Sequence, residues 1–73
     1  MIRTFIERKA YDWLYRNDIS RVDVIRTGLR DGLSPQKVAE HFARSHVLRG
    51  ILYLLAANHI KKTGIRPGKD DHV

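Results

Sequence analysis

The sequence predicts an all-α fold: a small four-helix domain over residues 1–64, followed by a short flexible tail over residues 65–73. Three observations predict it. Apolar residues recur at three- and four-residue spacing in successive segments. Residues that start and stop helices punctuate those segments. Nothing alternates with period two over a useful length, so no sheet is expected.

The first helix follows Thr4, whose spacing to Glu7 fits a capping box. Ile2, Ile6, Ala10, Trp13 and Leu14 form its apolar stripe, and Asn17 is its expected left-handed stop. Ser20 and Asp23 repeat the capping pattern for a second helix, with Val22, Ile25 and Leu29 inward. Gly32 closes it, because glycine adopts the left-handed conformation at little cost. Ser34-Pro35 is the clearest start signal. The serine caps, and the proline gives up an amide that has no helical partner at that position. Val38, Ala39 and Phe42 face inward from this short third helix, and Ser45 offers the next cap. The fourth helix is expected from His46 to about Thr63, with Gly64 as its stop.

That last helix has an apolar side made of Val47, Leu48, Ile51, Leu54 and Leu55, read as the core side. Its other side carries His46, Arg49, Tyr53, Ala56, Ala57 and Ile60. Three roles fit it: a central helix wrapped by the other three, an interface at its far end, or a recognition half joined to a core half. Trp13, Phe42, Ile51 and Leu55 are expected to be buried together. Asn58 and His59 are expected to satisfy neighbouring backbone groups.

Composition narrows the function. Fourteen Lys and Arg against eight Asp and Glu give a formal charge of +6 and a pI near 10.2. This favours polyanionic partners: DNA, RNA or an acidic protein face. Absence of cysteine excludes disulfides and thiolate metal sites, and fits a cytoplasmic setting. A chain of 73 residues is marginal alone, so a homodimer is a candidate means of support. No apolar run is long enough to span a membrane, and no membrane partner is expected.

Catalytic and metal-binding patterns are missing from the sequence. His41 and His46 straddle the third turn, and no HExxH-type spacing occurs. No glycine-rich phosphate loop is present. The expectation is a non-enzyme with no metal and no cofactor.

The segment from residue 33 to about 55 resembles the helix-turn-helix superfamily, through Val38-Ala39, Phe42-Ala43 and Ser45. Its turn carries Ala43 and Arg44 where the family usually has glycine and an apolar residue. A turn one residue shorter brings Leu48 and Ile51 inward. The resemblance implies that helices three and four form a helix-turn-helix-like pair in a DNA-binding transcriptional regulator. Phosphate contacts would come from Gln36, Lys37 and Arg44, and base or groove contacts from His46, Arg49 and Tyr53. The alternative is a small inhibitor or modulator docking on an acidic protein surface, for example of the transcription machinery. Arg49 and Tyr53 would anchor that contact.

Overall fold

The computed structural model describes residues 2–43 and 46–64, and these form four helices with no strand among them. They are α1 (Ile2–Asn17), α2 (Ile19–Arg30), α3 (Pro35–Phe42) and α4 (Val47–Thr63). The expected Ser45 cap and the tail over 65–73 lie outside the described residues.

The later helix boundaries follow the sequence signals closely. Ser34 accepts a hydrogen bond from the Lys37 amide at 3.1 Å, as an N-cap should. Gly32 has φ +104° and Asp31 occupies the C-cap of α2. The Gly32 amide donates to the Leu29 carbonyl and the Leu33 amide to the Gly28 carbonyl, both at 3.0 Å. That pair of bonds is a Schellman motif, and it turns the chain into α3. Gly64, at φ +137°, ends α4 with its amide on the Ile60 carbonyl.

The first two boundaries differ from expectation. Thr4 lies inside α1, and Glu7 reaches across to α4 rather than back to a cap. Asn17 is the last residue of α1 without a positive φ, and its side chain donates to the Trp13 carbonyl. Asp18, not Ser20, occupies the N-cap of α2; the Ser20 hydroxyl donates to the Asp18 carboxylate. A single residue between two helices leaves no room for the longer turn the sequence suggested.

α4 is the centre of the fold and packs on all three other helices, most extensively on α1 and α3. The core is built from Ala10 and Leu14 of α1, Val22, Ile25 and Leu29 of α2, Val38 and Ala39 of α3, and Tyr53, Ala56, Ala57 and Ile60 of α4. The expected orientation of α4 is thus reversed. Tyr53 is 2% exposed, whereas Val47 and Leu48 are 78% and 74% exposed and Ile51 is half exposed. Ala56 and Ala57 explain the choice. Small residues let α1 approach α4 closely, while the branched side could not sit as near. Trp13, Ile2 and Ile6 are also exposed rather than core, and Phe42 and Leu55 are only partly buried. The expected cluster of Trp13, Phe42, Ile51 and Leu55 does not form.

Candidate nucleic-acid interface

The residues expected to contact DNA divide four ways. Gln36, Lys37 and His46 come together around an open groove of about 800 Å³ between α3 and α4. Arg49 is exposed, but it lines a different, smaller groove beside Trp13, Asp18 and Leu48. Tyr53 is buried, with the Arg21 guanidinium 5.7 Å above its ring, and only underlies the groove that Arg49 lines. Arg44 lies outside the described residues.

An apolar ridge of Val47, Leu48 and Ile51 stands between the two grooves. A helix that reads base edges presents polar side chains there. The α3/α4 end is therefore poorly built for base readout. Among the described residues the formal charges lining the grooves balance: Lys37 and Glu40 line the first, and Arg49 and Asp18 the second.

The positive charge gathers at the opposite end of α4. α1 and α4 run antiparallel, which Glu7 against Lys62 and Tyr11 against His59 record. The N-terminal half of α1 brings Arg3, Arg8 and Lys9 to the end of α4 that carries Lys61 and Lys62. All five cations are exposed. Glu7 sits beneath them, 1% exposed, accepting from Lys62 Nζ at 2.7 Å and from Arg3 Nε at 3.3 Å. The Lys62 hydrogen bond holds its carboxyl below the usual value, against burial, which acts the other way. Asp12 approaches Arg8 at 3.9 Å, a surface pair that exchanges readily for another anion. Phe5 is exposed in the same region, with the Lys9 ammonium 5.3 Å from its ring centre.

This cationic end was not legible as a site in the sequence. Lys61-Lys62 was a visible signal, but its neighbours lie more than fifty positions away. Only the antiparallel packing of the first and last helices assembles them. Among the described residues no group of three metal-ligating side chains converges. His59 is instead packed against Tyr11 at 4.8 Å between ring centres, and burial pushes its pKa down.

No protein-family model, curated protein or solved structure matches this chain.

Proposed function

We propose that this protein is a small, basic, helical DNA-binding protein that grips the phosphate backbone with the cationic end formed by α1 and α4. The carrying observation is that Arg3, Arg8, Lys9, Lys61 and Lys62 are exposed together, while the one fully buried carboxylate among them, Glu7, is already engaged. Exposed cations of this kind neutralise phosphates and release counterions, which gives affinity without sequence selection. Phe5 adds a ring on which an unpaired base can stack. A role in regulating transcription then rests on occupancy or architecture rather than on base reading by α4.

The test is fluorescence anisotropy of a labelled duplex, and of one of its strands, across a salt series. Binding should weaken linearly in log–log form with salt. Lys9→Ala and Lys61→Ala should each flatten the slope by about one. Absence of binding at low salt, or slopes unmoved by both substitutions, overturns the proposal. Tighter binding of the single strand, lost in Phe5→Ala, assigns the stacking role.

A second reading, a modulator docking on a larger protein, is favoured by the exposed Val47, Leu48 and Ile51. Its mark is a nuclease-resistant complex recovered from cell extract and lost in Leu48→Glu.

A further inference from the structure

We infer that the outward side of α1 is a docking row for an unpaired DNA strand, with Phe5 and Trp13 as rings on which two bases stack and Lys9 as the phosphate contact between them. This rests on the reading that the protein binds DNA, and it names the form of DNA.

The core uses only the inward side of α1, where Glu7, Ala10 and Leu14 are buried. Phe5, Lys9 and Trp13 follow one another at four-residue steps on the outward side, so they form one row along the helix. All three are exposed, Phe5 by 59% and Trp13 by 53%. Exposed apolar residues scattered singly need no explanation, but Ile2, Phe5, Ile6 and Trp13 are gathered on one side of one helix.

The order ring, cation, ring selects the occupant. A single strand alternates planar bases with phosphates, and proteins that hold one combine stacking rings with a cationic track. A duplex keeps its bases stacked inside and offers these rings nothing. The spacing agrees. Phe5 and Trp13 lie about 12 Å apart along the helix, whereas stacked bases are ~3.4 Å apart along a strand. Bases on the two rings are therefore parted from each other, as an unpaired strand allows. The Lys9 ammonium lies 5.3 Å from the centre of the Phe5 ring, so a base on that ring brings its phosphate within the cation's reach.

Two other occupants fit less well. A helix lying in a bilayer surface keeps its cations on its polar face. A helix filling a protein groove presents a continuous apolar row. Here Lys9 stands in the middle of the apolar side, and Arg16, seven positions on, projects from the same side.

Both ends of the row continue the path. At the Phe5 end lie the exposed cations Arg3, Lys61 and Lys62. At the Trp13 end an open groove of about 340 Å³ is lined also by Asn17, Asp18 and Arg49. The groove gives the base on Trp13 room to lie against the ring, and Arg49 is the next cation along. Ile2 and Ile6 flank the row. An apolar flank favours deoxyribose over ribose, whose 2′-hydroxyl would be covered without a partner.

The test reads the emission of Trp13, the chain's one tryptophan, in the full chain. Oligothymidine should quench it, and a duplex with the same number of phosphates should not. In anisotropy titrations Trp13→Ala and Phe5→Ala should each weaken oligothymidine binding about 5- to 140-fold. The salt slope should stay unchanged in both, because a ring releases no counterions, whereas Lys9→Ala should flatten it by about one. Trp13→Tyr should restore binding, with helical circular dichroism retained in every variant. Duplex bound as tightly as the single strand, with Trp13 emission unquenched, overturns this inference and leaves the DNA reading standing. Absence of binding to either form at low salt removes both. Tighter binding of oligouridine overturns the choice of DNA. Emission shifted to the blue by phosphatidylserine vesicles and unmoved by oligothymidine overturns the inference in favour of a lipid surface.

Discussion

Lys62 on the last helix donates to the buried carboxylate of Glu7 on the first at 2.7 Å, across 55 positions of sequence. This contact closes the bundle at its cationic end. The Glu7 carboxyl is held below its ordinary value of 4.5, chiefly by that hydrogen bond. The folded state thus favours the charged form. The resulting stability is present above pH 4.5 and lost as the pH falls through the lowered folded value. Glu7→Gln should lower stability at neutral pH by about 1–3 kcal/mol. Its melting temperature should also fall less on acidification than that of the unaltered chain, which thermal melts across an acid series check.

His59 acts at higher pH. Burial holds its pKa below the ordinary 6.5, so the fold favours the neutral ring. This contribution is complete above pH 6.5 and is lost as the pH falls below it. His59→Phe keeps a ring against Tyr11 and removes the titration. Its stability should be flatter than that of the unaltered chain just below pH 6.5 in denaturant titrations.

The orientation of α4 can be measured directly. Tyr53→Ala and Ile60→Ala each empty a fully buried position and should cost about 2–5 kcal/mol. Leu48→Ala, at an exposed position, should stay within about 0.5 kcal/mol. Urea titrations separate the two cases, and a greater loss in Leu48→Ala than in Tyr53→Ala and Ile60→Ala would mean the helix is turned the other way.

The turn between α2 and α3 should be sensitive at two positions. Gly32→Ala places a side chain at φ +104°, costing about 1 kcal/mol although nothing crowds the added carbon. Ser34→Ala removes the hydrogen bond to the Lys37 amide and should cost a similar ~1 kcal/mol. Chemical denaturation of each variant and of the pair gives both values and their coupling.

Much of the fold was legible in the sequence because local chemistry enforces it. Ser34-Pro35, Gly32 and Gly64 each meet a backbone requirement that few other residues satisfy, so the start of α3, the end of α4 and the stop of α2 followed directly. The stripe of Val22, Ile25 and Leu29 had only one apolar side and could face only one way. Of the expected contact residues, Gln36, Lys37, His46 and Arg49 are on the surface, as an interface requires.

Tertiary structure decided what periodicity left open. α4 has two apolar sides, so a 3.6-residue repeat cannot choose between them. The choice came from shape: Ala56 and Ala57 admit α1 closely, Tyr53 fills the space under Arg21, and Val47, Leu48 and Ile51 are left outward. The same antiparallel approach buried Glu7, turned Trp13 out, and gathered cations from both ends of the chain. Sequence determined where α2 ends, where α3 begins and where α4 ends, because those limits are set by single residues and their neighbours. Which face each helix buries, and where the charge collects, depended on pairs of residues tens of positions apart that only packing brings into contact.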